Sequence, residues 1–343
     1  MASQLILYPD QLQDQFGRIK RKLRISITDR CNFKCLYCMP QHPEWLAKKE
    51  LLSFESLLAF CELMVEQGIE SIRITGGEPL MRQGVVHFIQ SLHHLRDYGL
   101  NGNGLKRISM TSNGHYLAKY AQDLKQAGLD DINISLDSLD EQQFYDLTQK
   151  QLAPVLEGIK AAQDVGLSIK INTVLIKGIN DNQILPLVAW GKRENLPIRF
   201  IEYMPLDGDA QWQQHLVVTE AEILAQLSTH YQVTSHIQQH EPARMYRLDD
   251  EYPMGIISTI SNSFCGQCDR LRLTAKGEFF SCLFSQNGIA LKPLLDDWLR
   301  STSPNDKNSL LQRIQHAVWH KQAGYPYLKP TTVRKISMYA LGG

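Results

Sequence analysis

Six times along the first two thirds of the chain, a short run mixing apolar and polar positions gives way to a longer stretch with helical spacing. The short runs are Lys22 to Thr28, Ile69 to Thr75, Leu105 to Thr111, Asp131 to Leu136, Ser168 to Ile176 and Ile198 to Met204. Each is rich in β-branched residues and short enough to be a strand. Between them lie helical patterns. One has Ser53 as N-cap and ends near Gly68, with Cys61 packed in its apolar face, and another runs from about Gln183 to Arg193. Alternation through Arg24-Ile25-Ser26-Ile27 aims Arg24 at the inside of a sheet.

Strands alternating with helices predict parallel pairing with crossover helices. Six units make an α/β fold, an incomplete (β/α)6 TIM-type barrel open on one side, with its site at the C-terminal ends of the strands. Polar residues gather at those ends, as in Gly76-Gly77-Glu78-Pro79 and Ser112-Asn113-Gly114. The glycine pair is expected to let the backbone approach a ligand. Beyond Glu241 the pattern changes. Ala243 to Leu248 and Gly255 to Ile260 read as strands, and Leu271 to Phe284 reads as a hairpin turning at Lys276-Gly277. Helices follow over about Ala290 to Leu299 and Lys307 to Gln322. The expected domains are therefore residues 1–240, the barrel, and residues 241–343, an α+β unit.

The 343 residues carry 36 Lys and Arg against 36 Asp and Glu, so the basic footprint of a nucleic-acid binder is absent. No apolar run is long enough to span a bilayer and the start lacks a signal-peptide pattern, so a membrane role is not expected. Apart from Cys61, the seven cysteines form two triplets with metal-ligand spacing, which suits a reducing, cytoplasmic compartment.

Cys31, Cys35 and Cys38 follow the first strand in a C-x₃-C-x₂-C pattern. Soft thiolates select iron–sulfur or zinc chemistry, and a closed zinc site would need a fourth ligand, which the loop lacks; the nearest histidine is His42. Three cysteines on a four-iron cluster leave one iron open to a ligand. Cys265, Cys268 and Cys282 repeat the arrangement as C-x₂-C-x₁₃-C. Spacing alone leaves two readings here, a zinc knot closed by a distant ligand or a second open cluster. Between these cysteines Arg270 and Arg272 project to one face of a strand, and paired guanidiniums suit a phosphate chain. Arg24, Arg73, Lys170 and Arg199 also fall on barrel strands, where inward charge is costly unless paired, so a polyanion is the expected partner.

The loop Thr28-Asp-Arg-Cys-Asn-Phe-Lys-Cys-Leu-Tyr-Cys-Met-Pro40 looks like the signature of the radical S-adenosylmethionine (SAM) enzymes. With Ile72-Arg-Ile-Thr-Gly-Gly-Glu-Pro-Leu-Met-Arg82, Asn133-Ile-Ser-Leu-Asp137, Arg199-Phe-Ile-Glu-Tyr-Met204, Phe264-Cys-Gly-Gln-Cys-Asp-Arg-Leu-Arg-Leu-Thr274 and the terminal Gly342-Gly343, the whole chain resembles the molybdenum cofactor biosynthesis protein A family, the GTP 3′,8-cyclases. That resemblance implies two 4Fe-4S clusters, the first on Cys31, Cys35 and Cys38 and the second on Cys265, Cys268 and Cys282. It implies a SAM pocket at Tyr37, Gly77, Ser135 and Met204. It places GTP on Arg24, Arg73, Thr111, Lys170, Arg199, Arg270, Leu271 and Arg272, and brings Gly342 and Gly343 into the active site. On the sequence alone that tail reads as a frayed terminus. The implied reaction uses a 5′-deoxyadenosyl radical to take hydrogen from the ribose C3′ of GTP, after which C3′ joins guanine C8. The implied partners are a flavodoxin or ferredoxin as electron donor, cyclic pyranopterin monophosphate synthase downstream, and a second copy of the chain as a homodimer. The competing readings are a radical SAM peptide-modifying enzyme and a non-enzymatic iron–sulfur or zinc binding module.

Overall fold

The computed structural model describes residues 8–9, 11–98, 104–207, 209, 211–236, 242–325 and 337–342. The expected strands form as β1 (Lys22–Ser26), β2 (Ser71–Thr75), β3 (Arg107–Ser112), β4 (Asp131–Ser135), β5 (Ser168–Leu175) and β6 (Ile198–Glu202). They pair in parallel in chain order. The crossovers carry α1 (Phe54–Glu66), α2 (Val85–His93), α3 (Leu117–Gln126), α4 (Glu141–Thr148), α5 (Ala153–Asp164) and α6 (Ile184–Glu194). After β6 comes α7 (Glu220–Leu227).

The remainder of the chain extends this sheet at both edges. The strands β7 (Val233–His236), β8 (Arg244–Leu248) and β9 (Tyr252–Ile257) form an antiparallel meander whose last member pairs in parallel with β6. At the other edge β10 (Arg270–Leu273) pairs in parallel with β1, followed by antiparallel β11 (Glu278–Phe280) and β12 (Ile289–Ala290). Among the described residues the sheet order is β12-β11-β10-β1-β2-β3-β4-β5-β6-β9-β8-β7, and no pairing joins its two ends. The barrel is thus incomplete, as expected, yet eight strands rather than six run in parallel. β9 and β10 could not be recognised as barrel strands locally, because β9 follows the two meander strands β7 and β8 and β10 pairs with β1 from the far end of the chain. The expected boundary at Glu241 lies outside the described residues.

Helix starts follow local chemistry. Ser53 Oγ accepts from Ser56 N at 3.1 Å at the head of α1, and Thr219 and Glu222 form a reciprocal capping box on α7. The helices α8 (Lys292–Ser301) and α9 (Pro304–Trp319) pack against each other, α8 also meets α1, and α10 (Met338–Leu341) comes last among the described elements. One apolar core runs from Leu57 and Phe60 on α1 through Ile72, Ile132 and Ile171 of the strands to Leu271, Leu310 and Ile314. Cys61 is fully buried in it. Among the described residues no helix is long and apolar enough to cross a membrane.

The strands show which way this core lies. β1 and β2 bury Leu23, Ile25, Ile72 and Ile74 completely or nearly so, whereas the alternate Arg24 and Arg73 open the other way. Apolar side chains therefore pack outward against the helices, and the inner face of the sheet is left polar. In a closed barrel that inner face would be filled by branched apolar layers. Here it is a cavity.

Candidate active site

The cavity holds about 450 Å³ and is lined by β1–β6, β9 and β10, together with both cysteine loops. At one end stands the first triplet. The loop turns through Cys38 N and Met39 N, which both donate to Cys35 O, and Phe33 N donates to Cys31 Sγ at 3.4 Å. Its outer side is tied to α4 by Lys34 N to Thr148 O and Leu36 N to Leu147 O. All three sulfurs line the cavity. Burial, with Glu78 close by, pushes the Cys31 thiol up to about 12, and burial raises Cys35 and Cys38 as well. Three crowded thiolates are unfavourable here without a metal to carry their charge.

Glu78 ties the ends of β2 and β3 together. Its carboxylate accepts from Leu80 N at 3.0 Å, Ser112 Oγ at 2.9 Å and Asn113 N at 2.7 Å. Burial nevertheless lifts it to about 7. The preceding glycines make a close approach within the protein itself. A side chain on Gly77 would meet Asp29 O and Arg30 O at 2.5 and 2.4 Å. The close approach that excludes a Cβ is therefore to the cysteine loop's own backbone, although Gly76 and Gly77 also line the cavity. Tyr37, Ser135 and Met204 face the same end. Tyr37 donates to Asp137 Oδ2 at 2.7 Å, and burial raises the Asp137 carboxyl to about 6. Asn133 Oδ1 and Asn172 Oδ1 are buried without a hydrogen-bond partner among the described residues, and both asparagines line the cavity. Acceptors left unsatisfied in this way fit a bound ligand with hydroxyl or amino donors.

The opposite end is cationic. Register places Arg24 beside Arg272 on one side and Arg73 on the other, so three guanidiniums stand in a row across β10, β1 and β2. Arg270 is beside Lys22 in the same way. Lys170, Arg199, Arg107 and Lys321 bring the lining cations to nine, against two acids, Asp137 and Glu202. Burial, then the neighbouring Arg272, Arg73 and Arg270, holds the Arg24 guanidinium well below its ordinary value. Asp131 sits beneath, 2.5 Å from Arg107 Nε and 3.6 Å from both Arg73 Nη2 and Lys170 Nζ. Its burial opposes ionisation, but the Arg107 hydrogen bond and the Arg73 and Lys170 charges outweigh that and hold its carboxyl below the usual range. Thr111, on β3, completes this face.

The second triplet borders the cations. Cys265, Cys268 and Cys282 all line the cavity. Burial alone would raise the Cys268 thiol, but Arg270 and Lys321 bring it down to about 5. Three soft donors in a cationic surround fit a metal–sulfur group that carries negative charge. Leu271 departs from expectation. Its side chain is fully buried in the core on the other face of β10 and is not part of the cavity lining, because strand alternation that turns Arg270 and Arg272 inward must turn Leu271 outward.

The tail is ordered where it is described. Met338 N donates to Leu206 O at 2.9 Å, Tyr339 packs edge-on against Trp45, and Leu341 is buried. Arg272 Nη1 donates to Gly342 O at 2.9 Å. Gly342 has φ +82°, and a Cβ there would meet Thr75 Oγ1 at 2.3 Å and Ser26 Cβ at 2.9 Å. These contacts replace the frayed terminus that terminal position alone suggests. Gly343 lies outside the described residues.

Lys22, Arg107, Asp131, Asn133, Asn172 and Lys321 were not singled out as site residues by sequence reasoning. For Arg107 the signal was present, since Arg107, Ser109 and Thr111 alternate along β3. For Lys321, which arrives from the turn after α9, no local pattern could have found it.

The chain matches the sequence profile of the Radical SAM superfamily over residues 25–191 and that of Molybdenum Cofactor Synthesis C over residues 196–327. It is 35% identical to a GTP 3′,8-cyclase of Staphylococcus epidermidis over 97% of this chain and 99% of the relative. It is 38% identical to that of Streptomyces coelicolor over 97% and 96%. The chain belongs to the GTP 3′,8-cyclase family. As a radical SAM protein, a GTP 3′,8-cyclase family member works with a 4Fe-4S cluster and SAM. Among solved structures, Streptococcus suis SuiB bound to its precursor peptide SuiA aligns with a TM-score of 0.61 at 16% identity, covering 83% of this chain and 66% of SuiB. SuiB bound to SAM gives 0.58 at 15%, covering 81% and 65%. At that identity the likeness is one of fold.

Proposed function

We propose that the chain converts GTP to (8S)-3′,8-cyclo-7,8-dihydroguanosine 5′-triphosphate, the first step of molybdenum cofactor biosynthesis. The observation that carries this is the row of Arg24, Arg73 and Arg272 in the same cavity as both cysteine triplets. Cys31, Cys35 and Cys38 hold the first cluster, and Tyr37, Gly77, Ser135 and Met204 flank SAM. Cys265, Cys268 and Cys282 would hold a second 4Fe-4S cluster, and the guanine would sit beside it. When bound, the first cluster and SAM supply a carbon radical able to take the hydrogen from ribose C3′.

The chain's own work is positioning. Arg24, Arg73, Arg270 and Arg272 present planar donor forks to the triphosphate, with Lys170, Arg199 and Thr111 beside them. Fixing the triphosphate at one end and guanine at the second triplet leaves the ribose between them, facing the SAM end. Such restraint brings C3′ and C8 into bonding reach and keeps an open-shell sugar away from other groups. Gly342, held by Arg272, closes this end against water. Residues 1–240 then make the radical and supply Arg24, Arg73, Thr111, Lys170 and Arg199 to the nucleotide, and residues 241–343 add the second triplet with Arg270 and Arg272.

In this reading a flavodoxin or ferredoxin supplies electrons in the cytoplasm. Cyclic pyranopterin monophosphate synthase consumes the product, and the enzyme works as a homodimer. The test incubates reduced protein anaerobically with SAM, with and without GTP. GTP should stimulate 5′-deoxyadenosine formation and yield the cyclised triphosphate. Deoxyadenosine formed equally without GTP would contradict the proposal.

A further inference from the structure

Lys321 is a buried lysine, 2% exposed, in the turn that follows α9. Its Nζ lies 3.3 Å from Cys268 Sγ and donates to Arg270 O at 2.9 Å. Among the described residues no carboxylate is within ion-pair distance of it. An ammonium buried in this way is costly unless an anion compensates it. The nearest group able to do so is the Cys268 sulfur, as a thiolate.

The surroundings fix this contact from one further segment, Asp14 to Lys20. Lys20 Nζ bonds Asp14 Oδ2 at 2.7 Å and Cys268 O at 2.9 Å. Arg18 Nη1 donates to Cys265 O at 2.7 Å, and its Nη2 donates to Gln322 O, the residue next to Lys321, at 2.7 Å. Arg270 Nη2 adds a second charged donor 3.6 Å from Cys268 Sγ. Among the described residues the first triplet has no charged donor hydrogen-bonded to its sulfurs. Cys31 Sγ receives only neutral donors among the described residues, Phe33 N at 3.4 Å and Asn113 Nδ2 at 3.7 Å.

We infer that Lys321 is a tuning residue for the second cluster, its ammonium charge against Cys268 holding that cluster at a higher reduction potential than the cysteines alone would give. The inference rests on the proposed ligation of a cluster by Cys265, Cys268 and Cys282. Each electron taken up adds negative charge to the cluster and its sulfurs, and a fixed cation with an N–H···S bond stabilises the reduced state. The contrast with the first triplet means that the two clusters differ through the protein and not only through their ligands.

The test uses the full chain carrying Cys31→Ala, Cys35→Ala and Cys38→Ala, so that only the second cluster contributes. Iron and acid-labile sulfide are counted, and the midpoint potential is read by redox titration with electron paramagnetic resonance. Lys321→Met should hold iron as the parent does while its potential moves negative, and Lys321→Arg should recover part of the shift. A merely structural lysine would lower iron content or melting temperature and leave the potential where it was. Equal potentials in parent and Lys321→Met overturn the inference. If Lys321→Met fails to hold iron, Lys321→Gln decides: it keeps a donor without the charge, so a negative shift supports the inference and the parent potential refutes it. A parent without iron overturns the two-cluster reading itself, and the tuning role falls with it.

Discussion

At the scale of single residues, the cavity trades stability for binding. Arg24 stands between Arg73 and Arg272, and like charges on adjacent strands are destabilising until an anion arrives. Arg24→Met should therefore melt no lower than the parent without nucleotide, and about 1 kcal/mol of stability gain is reasonable for relieving a buried charge. The same variant should bind GTP roughly tenfold to a hundredfold more weakly, since a charge-assisted hydrogen bond contributes about 1.5–3 kcal/mol. Thermal melts with and without GTP check both signs, and a full GTP-induced shift in Arg24→Met would refute the role. Residues of this kind were legible in the sequence because a strand has period two: Arg24, Arg73, Arg270 and Arg272 each interrupt an otherwise apolar run. The Leu271 side chain lies in the core for the complementary reason, since alternation turns it away from the face that Arg270 and Arg272 share. Lys321 and the Asp14–Arg18–Lys20 group were illegible, since only the packing of three distant segments brings them to the second triplet.

At the scale of elements, two predictions separate local chemistry from function. Glu222 closes the capping box of α7 and pairs with Lys177, whose hydrogen bond, followed by those from Thr219, holds its carboxyl down at about 2. A depressed carboxyl stabilises the fold above the ordinary value near 4.5 and loses that contribution as pH falls toward about 2. With Glu222 39% exposed, screening limits the effect to about 0.5–1 kcal/mol. Glu222→Gln should thus be less stable than the parent at neutral pH, with the gap closing between those two pH values in urea titrations. A gap independent of pH would contradict the assignment. The second element is the tail. Gly342→Ala places a methyl group against Thr75 and Ser26 at a positive φ, and should displace the tail. Turnover should fall roughly 10²-fold, as for other misplacements near reacting atoms, with GTP binding retained. Unchanged turnover would show that the tail is not part of the site. The six barrel strands were legible because each carries its own pattern. The attachment of β9 and β10 to the sheet's two edges was not, because parallel pairing over such sequence distances leaves no local mark.

At the scale of the whole molecule, one cavity joins two chemically different ends. The first triplet sits among neutral donors and carboxylates, and the second sits among cations. If both hold 4Fe-4S clusters, anaerobically prepared protein should carry about eight iron and about eight sulfide per chain, and removing Cys265, Cys268 and Cys282 should leave about four of each. A zinc knot at the second triplet would give about four iron and one zinc from the start. The central claim is that this geometry directs a radical to one hydrogen of one nucleotide. Its most direct test supplies GTP carrying deuterium at C3′ to the reduced protein with SAM and analyses the 5′-deoxyadenosine by mass spectrometry. Deuterium should appear in the deoxyadenosine alongside the cyclised triphosphate; deoxyadenosine formed without deuterium would contradict the account.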